Sequence, residues 1–170
     1  MNDTITRYLN SSAGLAERAR AHLLAILRPM GDNDSTTGLT ISTIVQSSLT
    51  AAMGSADSYF VVQGVLVKLA QNLVLTALTN AQVIKDGTTN VFCWYVDSAG
   101  TVTQAMGTAG ATLAKVKFPP KPEGKALVGF ALVTCSGGDF TGGTNSLGTA
   151  GNFTVVFCSP AGAFDASVLI

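Results

Sequence analysis

Charged side chains are scarce in this sequence: ten Lys and Arg and ten Asp and Glu make up 12% of its 170 residues, and the formal net charge is zero. That is about half the usual share for a soluble domain. A free monomer so composed has little charge to cover its surface and weak repulsion to hold copies apart. The expected state is therefore an oligomer or a component of a larger assembly. The few Lys and Arg are scattered rather than clustered, which excludes the electrostatic footprint of a nucleic-acid binder. Long apolar runs are missing as well. No window holds the roughly 18 uninterrupted apolar residues of a spanning helix, and Asp3, Glu17 and Arg18 break up any signal-peptide core. The expectation is a chain made in the cytoplasm with no membrane segment.

The residues that carry chemistry are equally thin. Histidine occurs once, at His22, so acid–base catalysis would rest on carboxylates, and the ten acids stand mostly in turn-forming contexts where Asx turns account for them. Cys93, Cys135 and Cys158 are an odd, widely spaced set with no CxxC pair. Each lies in an apolar run, where a free thiol behaves as a small hydrophobe. A Cys–His hydrolase would need His22 to reach one of these strand cysteines with no nucleophile-type turn around it. Asp32-Asn33-Asp34 begins like a calcium loop but lacks the glycine and closing glutamate at the required offsets. Zinc spacing is absent. The glycines of the 136–151 stretch match neither GxGxxG nor GxxxxGK[ST]. The chain is expected to be no enzyme and to need no cofactor or metal.

What is present divides at about residue 36. From Ser12, the residues Leu15, Ala19, Leu23 and Ile26 recur at helical spacing, Leu27 widens the stripe, and Glu17, Arg20 and Arg28 lie outside it. Pro29 and Gly31 stop this amphipathic helix. The polar run Gly31–Gly38 reads as a linker or arm. Residues 1–36 thus form a helix and linker, and residues 37–170 a mainly β domain, because Val, Ile, Phe, Tyr and Thr gather there into short runs between turn formers. The predicted strands are Leu39–Val45, Tyr59–Leu69, Asn72–Leu78, Asn90–Val96, Thr101–Gln104, Ala114–Phe118, Lys125–Thr134 and Asn152–Cys158. Asp86-Gly87 and Ser98-Ala99-Gly100 are predicted hairpin connections, and Pro119–Gly124 a stiff crossing outside any ladder. Segment 46–56 fits neither period.

Two runs, Val91–Val96 and Ala126–Val133, are apolar on both parities. A sheet strand with one buried face needs only one apolar parity, so the second face must meet the helix, a long loop or another subunit. The helix poses the same question. Its stripe has to be buried somewhere, and Leu15, Leu23, Ile26 and Leu27 are the candidate partner-binding anchors, each contributing about 1.5–3 kcal/mol if fully buried. The linker lets them reach a separate partner; the alternative is that the helix folds back on its own sheet or onto the oligomer axis.

The C-terminal third carries a resemblance. Lys125-Ala126-Leu127-Val128-Gly129 opens a long strand, Phe140-Thr141-Gly142-Gly143-Thr144-Asn145-Ser146-Leu147 follows as a loop, and Phe153–Phe157 closes. This order, with the upstream hairpin Asp97–Thr103, resembles small virion structural proteins of tailed bacteriophages, the capsid decoration (cement) or head-fibre type, over about residues 59–158. None of its pieces is a catalytic or ligand motif. The resemblance implies an antiparallel β-sandwich or jelly-roll domain behind the helix and linker, a homotrimer on the capsid surface, and the major capsid protein as partner. It also leaves open a fibre or tail module that binds host surface glycan.

Overall fold

The computed structural model describes residues 38–40, 44–148 and 151–159. The predicted N-terminal helix, with Leu15, His22, Leu23, Ile26 and Leu27, lies outside the described residues, as does the Asp32-Asn33-Asp34 segment. In chain order the strands are β1 (Gly38–Thr40), β2 (Ile44–Ser47), β3 (Thr50–Met53), β4 (Ser58–Val62), β5 (Val65–Leu69), β6 (Val83–Ile84), β7 (Thr89–Asp97), β8 (Val102–Met106), β9 (Lys125–Cys135), β10 (Phe140–Thr141) and β11 (Phe153–Cys158). The described part is mainly β. Its sheets, all antiparallel, run β11-β9-β7-β8, β1-β4-β5, β2-β3 and β10-β6.

The four-stranded sheet organises the rest, and its sequence shows why. β7 reads Thr-Asn-Val-Phe-Cys-Trp-Tyr-Val-Asp, dense in β-branched and aromatic residues. It turns into β8 where Asp97 Oδ1 accepts from the amides of Ala99 and Thr101, while Gly100 takes a φ of 83°. One face of the sheet, through Phe92, Trp94, Val96, Ala126, Val128, Ala131 and Val133, shares a core with Phe60, Val62, Val67 and Leu69 of β4–β5 and Ile44, Ala51 and Met53 of β2–β3.

The predicted strands at 90–96, 101–104, 125–134 and 152–158 are found within a residue or two. Others need correction. Tyr59–Leu69 is a hairpin rather than one strand, reversed at Gln63-Gly64 with φ values of 51° and 78°. This is the both-positive geometry of a type I′ turn, which Gln-Gly signals less plainly than Asn-Gly. Leu39–Val45 divides between β1 and β2. Asn72–Leu78 is no strand: it keeps one bridge, Ala52↔Val74, with Met53 N donating to Leu73 O and Leu75 N to Ala51 O. Asp86-Gly87 joins β6 to β7 without making them a hairpin, because β6 pairs with β10. The unassigned segment 46–56 supplies most of the β2–β3 hairpin, turned at Ser48-Leu49 with Ser48 at φ 49°.

Ala114–Phe118 is also not a strand. A single 3-10 turn, Leu113–Lys115, leads into an extended stretch that bridges Thr108↔Lys117. Its side chains nevertheless alternate, Val116 buried and Phe118 half-buried while Lys115 and Lys117 are exposed. This segment answers the question of the second apolar face. Val91, Cys93 and Tyr95 on the far side of β7 form a second cluster with Val116 and Leu127, flanked by Ala105, Phe118, Phe130 and Leu132. The chain's own 107–118 flap is the cover. It lies so close that a Cβ on Gly107 would stand 2.6 Å from Val91 Cγ1 of β7. On β9, part of the double-sided pattern has another cause. The register with β7 shifts between Trp94 and Tyr95, so the core-facing residues pass from Ala126 and Val128 to Ala131, Val133 and Cys135.

Candidate functional site

The titratable groups of the described residues are spread out and serve as local staples. Lys68 pairs with Asp57 at 2.6 Å, Lys85 with Asp139 at 2.7 Å, and Lys125 stands 3.9 Å from Asp97. Each ties neighbouring strands or loops at the surface. The Lys68 ammonium, and after it the Gln71 amide, hold the Asp57 carboxyl below its ordinary range. The Lys85 ammonium and then the Asp86 amide do the same for Asp139. Asp86 Oδ1 accepts from Gly137 N at 2.7 Å, and Asn152 Nδ2 donates to Gly137 O at 2.6 Å, so loops 85–87 and 136–139 are clasped to the start of β11. These carboxylates are occupied in turns and pairs, and among the described residues no group of three His, Cys, Asp or Glu is placed to hold a metal ion.

The cysteines are dispersed and free. Cys93 is fully buried on the flap side of β7, and burial pushes its thiol up to about 12, far from the thiolate a nucleophile needs. Tyr95, two residues on and on the same face, is also fully buried, and burial raises its phenol as well. Its hydroxyl finds no hydrogen-bond partner; the Cys93 thiol is near enough to disfavour the charged phenolate but does not reach bonding geometry. Cys135 is buried with its thiol directed at the Ile84 carbonyl oxygen, and burial raises it too. Cys158 is half-buried and raised by burial alone. The carboxylates of Asp139 and Asp86 raise the Cys135 thiol further, and no charged group acts on Cys93 or Cys158.

The Phe140–Leu147 loop turns out to be a fastening. Phe140 and Leu147 are fully buried in the main core, Phe140 against Phe92 and Phe153 with ring centroids 5.8 and 5.4 Å apart. Between them Gly142 passes so near the chain at 78–79 that a Cβ would stand 2.7 Å from Thr79 O. Leu147 N donates to Ser48 O, and Gln46 Nε2 to Ser146 Oγ, so the loop also grips the β2–β3 turn. The spacing of Phe, Gly and Leu is thus a packing device.

Part of what the molecule presents outward is apolar. Val45, Leu49, Val65, Leu66, Leu73, Val74, Leu113 and Val156 are the exposed large hydrophobics among the described residues. Four of these fall on β2–β3 and the 73–74 stretch beside it. Sequence reasoning missed this surface because segment 46–56 is built of Ser, Thr, Ala and Gln, which mark neither helix nor strand; the row of Val45, Ala52 and Val74 exists only through pairing. The sole tryptophan, Trp94, is fully buried, its indole N–H donating to Thr76 O at 3.0 Å. It is a core residue, as its two-faced apolar strand predicts, and offers no platform for a sugar ring. The candidate anchors Leu15, Leu23, Ile26 and Leu27 lie outside the described residues. No helix among the described residues is long and apolar enough to cross a membrane. Comparison with protein-family models, curated proteins and solved structures finds no match for the chain.

Proposed function

We propose that this chain is a non-enzymatic structural protein of a virus particle, a capsid decoration (cement) protein that strengthens a phage head through oligomeric contacts with the major capsid protein. The observation that carries the reading is the contrast between its interior and its surface. Every thiol is at least partly buried and far from activation, the described ion pairs fasten strands and loops, and the loops are pinned by buried Phe140 and Leu147. Outward it offers uncharged apolar patches, which are interaction surfaces before they are anything else. A shell-clamping protein works by many small contacts that bind the assembled state and not its separated parts, and such binding stabilises by mass action.

The finer architecture of this reading is a β-sandwich or jelly-roll subunit. The common core between the four-stranded sheet on one side and β4–β5 with β2–β3 on the other supports it. The reading further takes the chain to be made in the host cytoplasm and placed on the capsid surface as a homotrimer. The test is electron microscopy of virions with and without the protein, together with co-purification on full heads. Regular extra density on the shell and lower head stability in its absence are expected. Specific binding to a glycan array by a protein that never partitions with heads would move the assignment to a fibre or tail adhesion module.

A further inference from the structure

We propose that the uncharged outer face of the β2–β3 ribbon is the seat of residues 12–28 of the same chain. The face is a row across three paired segments: Val45 of β2 stands opposite Ala52 of β3, and Ala52 opposite Val74. Val45 is 43% exposed and Val74 60%, with the shorter Ala52 buried between them at 7%, and Leu49 in the β2–β3 turn is 38% exposed. These side chains cannot turn inward, because the other parity of the same ribbon, Ile44, Ala51, Met53 and Leu75, already fills the core. The packing there is tight enough that a Cβ on Gly129 would stand 2.9 Å from Ile44 Cδ1.

The surroundings carry none of the usual guards. Not one Asp, Glu, Lys or Arg occurs in residues 44–56 or 69–84, whereas β5 has Lys68 at its exposed edge. An uncharged apolar row of this kind asks for an apolar cover, and the chain contains one within reach. Leu15, Ala19, Leu23, Ile26 and Leu27 recur at helical spacing. The row across three strands measures about 10 Å, or two turns of helix at about 5.4 Å each, and the longer Leu15–Leu27 stripe, about 18 Å at about 1.5 Å per residue, covers it with a turn to spare. Residues 29–37 span at most about 30 Å when extended. They enter the domain at β1, whose last residue precedes Ile44 by four positions. A tether of that length holds the segment at an effective concentration of about millimolar, so the copy's own seat is filled ahead of a neighbour's. The inference concerns the isolated chain and stands apart from the virion reading, but it assigns the four anchors to the ribbon rather than to a shell protein.

The full-length chain with a photo-crosslinking p-benzoylphenylalanine at position 74 tests the seat without presuming a register. Irradiation at micromolar concentration should give a cross-link within the monomer band that maps to residues 12–28. Transfer into a dimer band, or to any other part of the chain, would overturn the assignment. A second measurement reads the segment itself. Trypsin cleavage after Arg18 and Arg20 should be slow in the parent and at least tenfold faster in full-length Val74→Asp and Leu23→Asp, with the thermal transition of the β domain retained. Equal cleavage rates in parent and variants would likewise sink the proposal.

Discussion

Tyr95 is the residue whose chemistry fits its surroundings least. A phenol hydroxyl buried with no partner forfeits its hydration, so removing it should relieve the fold. Tyr95→Phe is expected to leave stability unchanged or raise it by up to about 1–2 kcal/mol in urea unfolding. A loss larger than about 1 kcal/mol would reveal a partner for the hydroxyl. Its neighbour Cys93 should behave as an inert filler. In the folded protein at pH 8 it should resist iodoacetamide while half-buried Cys158 is alkylated, as read by peptide mass spectrometry. Ala or Ser at any one of Cys93, Cys135 or Cys158 should alter stability without abolishing particle binding. Much of this was readable from sequence. The run Val91–Val96 announces burial on both faces, and Trp94 and Cys93 obey it. The orphaned hydroxyl was not readable, because it depends on the flap at 107–118, which is tied to β7 through the bridge Thr89↔Gly110, between residues far apart in sequence.

Elements built from alternating or β-branched residues were the legible ones. β7, β9 and β11 follow directly from their composition, and the Asp97–Thr101 turn from its Asp and Gly. The β2–β3 ribbon was hidden because small polar residues gain their strand identity from pairing and from the packing of Ile44 and Met53, not from local preference. The glycine-rich loop was legible as a loop but not as a fastening. Leu147→Ala should cost about 2–5 kcal/mol, the range for truncating a buried leucine, and should loosen the β2–β3 turn that Leu147 N holds; hydrogen exchange of the Leu147 amide would report it. The clasp between loops 85–87 and 136–139 has a defined pH response. Asp139 has its carboxyl lowered in the fold, so its contribution is present above the ordinary carboxylate range and is lost as pH falls through the lowered value. The Asp86 amide donates to Asp139 Oδ1 at 2.9 Å, so its protection factor against hydrogen exchange should fall in acid. In Asp139→Asn that acid dependence should disappear.

For the molecule as a whole, two arguments led from sequence to an oligomer, and they now differ in weight. The double-sided strands have found their cover inside the chain, in the flap and in the register shift of β9. Scarce charge remains, with the exposed apolar residues away from the β2–β3 ribbon, Val65, Leu66, Leu113 and Val156, and together they still predict association, with a trimer expected in sedimentation velocity. A well-behaved 17 kDa species at micromolar concentration would count against it. The internal cover also bears on the order in which the chain can fold. β7 is a central strand, yet one face of it stays wet until the stretch from Gly107 to Phe118 has closed over Val91, Cys93 and Tyr95, and its β9 neighbour arrives only after the proline crossing. A half-formed sheet lacking that closure would expose its stickiest strand to other chains. Cys93 lies at the centre of that face, so the time at which its thiol ceases to react during refolding clocks the last step that makes the molecule safe from aggregation.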